Sequence, residues 1–584
     1  MHRKRGRTCV RAGRSSLETR DVYWWRRAIL VRKPARVRRR LGQSGSYEFG
    51  TYTKGLLHEN REISGGAVEC TRGRGDGAER VCNGNDRERR EGVSRNPPEA
   101  PEKSDEVVVP KKPGNAVVTP ADSVEGRTEA NGKPSEGNAG RAQEREFAIT
   151  KLSWLGEQAN KDRDWKFNNL LSHLKEPLLE EAFHGLRKDA ATGVDRVDWE
   201  TYGRELPSRL ADLQDRIHRG NYHPLPVRRV FIPKPDGRMR PLGIPALEDK
   251  IVQRAVKMIL EQIYEPAFLG CSYGFRPGRN QHNALDALAV AIGRKVSWVL
   301  DADIRAFFDT IDHGWMKKFI EHRIADKRLV HLLMKWLHAG VMEDGTLREV
   351  TEGTPQGGII SPLLANIYLH YALDLWVMAW RETHSHGEVY YVRYADDFVL
   401  CFQTEQDARA MRSALAERLA RFRLELHPDK TRVIRFGRYA RQDCRLDERT
   451  RPETFDFLGF THIAGKDRAG RFALHRRTSR KKRNAKHAVL RGEIRRRRHE
   501  RVHLQYKWLC SVLRGHYAYY GVPRNFASMN IFRKRIEYCW HQRLQRRSQR
   551  ARWTKEDKQR FRERYDLPMP RITHPWPNVR FARR

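Results

Sequence analysis

Two short apolar stretches of this chain carry paired carboxylates, and a fold can keep them there only on strict terms. SWVLDADIRAFF, residues 297–308, sets Asp301 and Asp303 into a β-branched and aromatic run of strand length. EVYYVRYADDFVLCF, residues 388–402, places Asp396 and Asp397 at a tight turn between two apolar arms. A carboxylate withdrawn from water needs a compensating charge. A strand and a hairpin tip that converge would gather Asp303, Asp396 and Asp397 as hard oxygen ligands, which suits Mg²⁺ rather than zinc. Two such ions can activate an attacking hydroxyl and stabilise a leaving oxygen in an in-line phosphoryl transfer. Asp-Asp at a hairpin is ordinary turn chemistry, and taken alone either acidic motif favours that bland reading, so the rest of the chain has to decide.

Across 584 residues, 114 Lys+Arg against 73 Asp+Glu leave a net charge of +41, a balance suited to a polyanionic partner. No apolar run reaches the roughly 18 residues of a membrane span, so a membrane partner is not expected. The eight cysteines are scattered without the short spacings of a zinc ribbon or a disulfide framework, which reads as free thiols in a reducing compartment. His384 and His386 in THSHGE read as a polar loop, not as metal ligands.

Residues 1–145 show no sustained periodicity, and Gly, Pro, Ser, Glu and Arg crowd the segment from Gly65 to Gly140, the composition of a disordered basic leader. Its first fifty residues hold fifteen Arg/Lys and three Asp/Glu. Three readings of the leader stand: non-specific attraction to nucleic acid, a targeting peptide, or a segment outside the natural product. After it come amphipathic segments broken by turn signals. LLSHLKEPLLEEAFHGLRKD reads as helices joined near Pro177, and VRRVFIPKPDGRMRPLGIP as a hairpin turning at Pro235-Asp236-Gly237. DKIVQRAVKMILEQIYEP puts Ile251, Val252, Ala255, Val256, Ile259, Leu260 and Ile263 on one face of a helix ending near Pro266. Helices alternating with strands imply an α/β layer.

The acidic motifs keep ordered company. IPKPDGRMRPLGIP, SYGFRPGR, LDADIRAFFDTIDH, GTPQGGIISPLLANIYLHYALD, YVRYADDFVL, LHPDKTRVIRFG and FDFLGF follow one another between about Trp165 and Phe460. This series resembles the reverse-transcriptase blocks of group II intron-encoded proteins, and LRGHYAYYGVPRN with LPMPRITHPWP resembles their maturase region. The resemblance implies a right-hand polymerase: fingers and palm over 146–465, a basic thumb-like helical segment over 466–505 and a maturase region over 506–584. It implies RNA-directed DNA synthesis with Mg²⁺, an RNA template, a DNA primer and dNTPs, together with binding of the parent group II intron RNA to assist splicing and retrohoming into target DNA. It also implies a bacterial cytoplasmic, nucleoid-associated protein, an organellar one being the lesser expectation. The sequence does not give the oligomeric state.

Site residues carry over position by position. Asp303, Asp396 and Asp397 match the metal-binding carboxylates, while Asp301 on the same strand face is a supporting residue and Asp309 and Asp312 are helix-capping or surface acids. Phe308 matches the ring that screens out a ribose 2′-hydroxyl. Lys234 and Arg240 match basic positions that grip the triphosphate, where a point charge and a guanidinium fork serve different oxygens. Gln356 matches the segment beside the template and nucleotide, with Gly357 and Gly358 leaving room for close approach. Lys430 matches a lysine proposed to protonate departing pyrophosphate. One departure is Arg196 in ATGVDRVDW, where the family often has Gly.

Residues 476–501 hold thirteen Arg/Lys and two acids. Arg480, Lys481, Lys482, Arg483, Arg495, Arg496, Arg497 and Arg498 are the candidate RNA contacts, with Ala488, Val489, Leu490 and Ile494 as a thin apolar stripe. Trp508, Leu509, Val512, Leu513 and Tyr517 read mostly as core, and spacing does not decide Tyr519 and Tyr520. The paired cysteines and histidines of an HNH endonuclease are not found after His516, so a form without that domain is expected, primed from a nascent strand or by reverse splicing. Two other readings remain open: an RNA-binding splicing factor with a vestigial polymerase site, and a domesticated reverse transcriptase with another role.

Overall fold

The computed structural model describes residues 136–233, 239–343, 346–348, 353, 357–442, 451–547 and 553–576. Of the leader, residues 1–135 lie outside these. Helix α1 (Glu136–Lys161) starts upstream of the 145/146 boundary, because its Glu, Gln, Arg and Ala are good helix formers, although by composition they resemble a polar tract. A 3₁₀ turn (Leu170–His173) and α2 (Glu176–His184), with Pro177 in its first turn, are the two helical pieces expected around that proline. Then come α3 (Trp199–Gly203), α4 (Leu206–Arg219), strands β1 (Val227–Pro233) and β2 (Met239–Ile244), and α5 (Leu247–Tyr264). All seven apolar residues assigned to the face of α5 are buried.

Helix α6 (Gln281–Gly293) leads into β3 (Trp298–Asp303), followed by α7 (His313–Arg323), α8 (Lys327–His338), β4 (Val341–Glu343) and β5 (Thr346–Arg348). Helix α9 (Ser361–Leu369) passes through a π-helical turn (His370–Asp374) into α10 (Leu375–Thr383). The hairpin β6 (Val389–Tyr394) and β7 (Asp397–Phe402), α11 (Glu405–Ala420) and β8 (Arg432–Arg435) complete the central part. A three-stranded meander of β9 (Thr454–Phe457), β10 (Phe460–Lys466) and β11 (Phe472–Thr478) precedes four helices: α12 (Arg480–Arg496), α13 (Val502–Tyr520), α14 (Phe526–Gln545) and α15 (Lys555–Arg564). The 465/466 boundary therefore falls inside β10, which pairs with both β9 and β11, and the 505/506 boundary falls inside α13.

The central sheet runs β6-β7-β3-β8, antiparallel throughout. Its two-residue side-chain period sorts the acids. Leu300, Ala302, Phe398, Leu400 and Phe402 enter the main core with α5, α7, α9 and α11. On the opposite face, Val299, Val399, Cys401 and Ile434 pack with α6 and the β9–β11 meander. Asp301, Asp303, Asp397 and Arg432 continue that second face beyond the point where the core ends. A second sheet, β2-β1-β4-β5, holds the expected β1–β2 hairpin, while its turn at Pro235-Asp236-Gly237 lies outside the described residues.

The chain gives Arg196 a left-handed φ of 57° on an exposed stretch, the conformation for which glycine is the natural choice. No helix among the described residues is long and apolar enough to cross a membrane. His384 caps the end of α10 and His386 pairs with the Asp407 carboxylate at 3.1 Å, in agreement with a polar loop.

Candidate active site

Strand register brings the acids together. Asp303 is the cross-strand partner of Asp397, and Asp396 lies at the tip joining β6 to β7, one residue from that pair. The tip is tight because Ala395 takes a left-handed φ of 57°. Gly274, from SYGFRPGR, passes so close that a Cβ there would lie 2.4 Å from the Ala395 nitrogen. Behind the tip, Arg393 and Asp374 form an ion pair with neither side chain exposed. These two residues and Asn366 do not stand out in the sequence, where the only signal is a polar residue inside an apolar motif.

Lys430 meets the carboxylates directly: its Nζ donates to Asp303 Oδ2 at 2.5 Å. The segment before it is tied to the same strand, since His427 N donates to the Asp303 carbonyl at 2.8 Å and Arg305 N to the Glu425 carbonyl at 2.8 Å. Asp301 faces Arg432 at 3.6 Å. Burial pushes its pKa up to about 6 against the pull of that guanidinium. Asp312 caps α7 by accepting from Trp315 N, as expected of an acid at that position.

Asp301, Asp303, Asp397, Lys430 and Arg432 line an open cleft of ≈ 830 Å³. The start of α12 also lines it, through Arg480, Lys481 and Asn484. Two residues assigned to RNA binding thus share a cleft with the acids. Asp456, also on the lining, is held by Ser479 Oγ at 2.8 Å and by the Thr461 hydroxyl. No three His, Cys, Asp or Glu side chains among the described residues form a ready-made ligand cluster. The donor chemistry nevertheless fits a hard divalent ion, because two facing carboxylates and a third at the adjacent tip supply only oxygen.

Of the other sequence-assigned positions, Phe308 and Arg240 lie among the described residues. Phe308 is half-buried in a 3₁₀ turn (Phe307–Asp309), edge-on to Phe307 at 5.3 Å and packed on the main core. Gly353 abuts this turn, since a Cβ there would lie 2.8 Å from the Phe308 carbonyl oxygen. Gly357, with φ of 124°, sits equally close to β2: its Cβ would come within 2.3 Å of the Gly243 oxygen. Arg240 is exposed on that same strand, paired with Ile232. Gly353 and Gly357 thus approach the turn of Phe308 and the strand of Arg240 respectively. Lys234 and Gln356 lie outside the described residues.

On α12, Arg480, Lys481, Lys482, Arg495 and Arg496 are exposed and Arg483 is half-buried, as is Arg498 in the 3₁₀ turn (Arg497–His499) that follows. Arg497 differs from expectation: it is 17% exposed, bonded to Glu500 at 3.1 Å and stacked on Trp508 at 5.0 Å, so it folds the α12–α13 corner. Only Leu490 and Ile494 of the apolar stripe are buried, and Val489 is 64% exposed, because the i, i+4 pair alone faces the neighbouring helix. Leu509, Val512, Leu513 and Tyr517 are core, as expected. Tyr519 and Tyr520 pack on Phe460, with the Tyr519 hydroxyl donating to the Leu458 carbonyl at 2.8 Å, so they hold the FLGF turn.

A sequence family described as reverse transcriptase (RNA-dependent DNA polymerase) matches residues 232–462. Protein YkfC of Escherichia coli (strain K12) is 37% identical over 48% of this chain and 82% of its own length. Group II intron-encoded protein LtrA of Lactococcus lactis subsp. cremoris is 29% identical over 66% of this chain and 76% of its own. A putative COX1/OXI3 intron 1 protein of Saccharomyces cerevisiae is 32% identical over 38% of this chain and 27% of its own.

Proposed function

The chain belongs to the reverse-transcriptase family, in the branch of group II intron-encoded proteins, and from that premise we propose which of its residues do the work. Its activity is RNA-directed DNA polymerisation allied to intron splicing and mobility, and its family uses divalent metal ions. Asp303, Asp396 and Asp397 hold the metal, which we take to be Mg²⁺. When bound, it lowers the cost of forming the attacking 3′-oxygen and of releasing pyrophosphate. The observation that carries this assignment is the register that sets Asp303 opposite Asp397 with Asp396 at the adjoining tip.

The central sheet then serves as palm, the β2-β1-β4-β5 sheet as fingers and α12 as the start of the thumb, leading into the maturase helices α13–α15. We assign Arg240, Lys234 and Gln356 to the triphosphate of an incoming dNTP and Phe308 to the screening of its sugar. Lys430, bonded to Asp303, keeps that carboxylate oriented and delivers a proton to the departing pyrophosphate, an ammonium being both a donor and a counter-charge. Arg480 and Lys481, on the cleft lining, bind the sugar–phosphate backbone of the copied duplex. Exposed Lys482, Arg495 and Arg496 turn to intron RNA. The half-buried Arg483 and Arg498 belong to the same RNA face, and target DNA is the substrate of integration. A cytoplasmic location beside the nucleoid accords with this set of partners.

The test is primer extension on a long RNA template with Mg²⁺, comparing dNTPs with NTPs and wild type with Asp396→Ala and Phe308→Ala. Extension that requires dNTPs, vanishes in Asp396→Ala and accepts NTPs in Phe308→Ala is the expected result. A folded, intron-binding wild type that never extends a primer would instead identify a splicing factor whose polymerase site is vestigial.

A further inference from the structure

We infer that Arg393, Asp374 and Asn366 form a buried positioning cluster that sets the backbone of Ala395 and thereby the direction of Asp396. The inference rests on the reading of Asp396 as a metal-binding carboxylate. Arg393 is fully buried in an otherwise apolar strand, and a buried ion pair is a poor source of net stability, often replaceable by apolar residues. Its donors point to a different use. Arg393 Nε donates to Asp374 Oδ1 at 2.7 Å and Nη2 to Oδ2 at 2.5 Å, a two-pronged pairing that fixes the plane of the guanidinium. That leaves Nη1, which donates to Asn366 Oδ1 at 2.9 Å and to the Ala395 carbonyl at 3.0 Å.

Each remaining partner acts on the same tip. Asn366 Nδ2 donates to the Gly274 carbonyl at 2.7 Å, and Gly274 is the residue pressed against the Ala395 nitrogen. Arg393 N donates to the Cys271 carbonyl at 2.8 Å and Tyr273 N to the Arg393 carbonyl at 2.9 Å, so the 271–274 segment is laced to β6. The Tyr391 hydroxyl donates to Asp374 Oδ1 at 2.8 Å. Asp374 closes the π-helical turn between α9 and α10, and such one-turn widenings recur at functional sites. Ala395 is not glycine yet holds a left-handed φ of 57°, a conformation that persists only where its surroundings over-determine it. Here they do: its carbonyl is bonded to Arg393 and its nitrogen is packed by Gly274.

The experiment uses the full chain and the variants Asn366→Ala, Arg393→Lys and Tyr391→Phe. Primer extension is measured against Mg²⁺ and dNTP concentration, and amide hydrogen exchange against time without substrates. Asn366→Ala leaves the Arg393–Asp374 pair in place. It is expected to lower kcat by about 10- to 100-fold, the scale of a misplacement near 1 Å. Its dNTP KM should stay within about twofold while the Mg²⁺ midpoint rises. Exchange should accelerate at 393–398 and not in the rest of the central sheet. Arg393→Lys keeps the charge but loses the fork, and should not restore kcat. Tyr391→Phe creates almost no space and gives a smaller shift in the same direction, which covers the case where the other two fail to fold. Wild-type kcat and Mg²⁺ midpoint in Asn366→Ala, or accelerated exchange spread through the whole sheet, would overturn the inference. If Asp396→Ala extended primers as well as wild type, the carboxylate reading would fall, while localised exchange at the tip would still report the cluster's hold on Ala395.

Discussion

Gly274→Ala is the smallest change that should separate folding from catalysis in this chain. The added methyl would stand 2.4 Å from the Ala395 nitrogen, 3.0 Å from the Tyr394 carbonyl carbon and 3.2 Å from the Ala395 Cα, all backbone atoms with no rotamer to escape through. Ordinary contact begins near 3.4 Å, so the shortfall at the worst atom is 3.4 − 2.4, about 1 Å. The 271–274 segment cannot absorb it alone, because two backbone hydrogen bonds tie it to Arg393. Overpacking of this kind costs about 1–3 kcal/mol, within the ~5–15 kcal/mol reserve of a folded domain. The protein therefore stays folded while the tip retreats by a fraction of an ångström to 1 Å, which is worth up to ~100-fold in rate. Single-turnover extension at saturating dNTP, set beside thermal melting and primer–template binding, reads the three quantities separately. Gly278→Ala is the control: φ there is +68° but nothing lies within 4 Å of its Cβ, so it adds backbone strain without a clash and should keep the rate. A Gly274→Ala enzyme with wild-type rate and wild-type melting would refute the claim that the tip's position is sterically set.

Arg196→Gly removes a left-handed arginine on an exposed stretch, and should raise stability by about 0.5–1 kcal/mol once glycine's greater unfolded-state freedom offsets part of the gain; a lower denaturation midpoint would contradict it. Burial raises the Asp249 pKa to about 7, although the Tyr222 hydroxyl and Leu225 N hydrogen-bond to its carboxylate. The folded state then holds a proton that the unfolded state gives up near pH 4, so stability falls as pH rises from about 4 to 7 and levels off above. Asp249→Asn should flatten that slope in urea midpoints taken at pH 5, 6, 7 and 8, and an unchanged slope would assign the dependence elsewhere. Replacing Arg480 and Lys481 with Gln should weaken primer–template binding uniformly across sequences and reduce the slope of log K against log salt by about 1 to 2; an unchanged slope would remove them from the phosphate path.

What was legible in the sequence followed from short-range physics. Carboxylates in apolar strands announce a site because burial without compensation is costly, and the two-residue period of a strand by itself places Asp301 and Asp303 on one face. The face of α5 was legible for the same kind of reason, seven apolar residues at helical spacing. The support of the site was not legible. Arg393 finds its partner nineteen residues back in a π-helical turn, and no periodicity distinguishes that Asp374 from a surface acid. Tyr519 and Tyr520 could not be assigned because their partners, Leu458 and Phe460, come from a strand turn some sixty residues earlier. Arg497 looked like its neighbours in a basic run, and only the three-dimensional corner with Glu500 and Trp508 turns it inward.

The charge pattern of the cleft explains how a site for a polyanion can be lined with acids. Asp301, Asp303, Asp397, Asp429 and Asp456 share its lining with Lys430, Arg432, Arg480 and Lys481. Most of the acids are answered locally: Asp303 by Lys430, Asp301 by Arg432, and Asp456 by two hydroxyls. None of these answering groups is Arg480 or Lys481, whose exposed side chains on the same lining offer positive charge to a phosphate chain. An acidic floor remains repulsive to that chain unless a cation arrives with it. Monovalent salt should therefore loosen the duplex from the α12 wall, whereas divalent ions act at the floor. The two dependences should separate in Arg480 and Lys481 variants, which alter the first and leave the second.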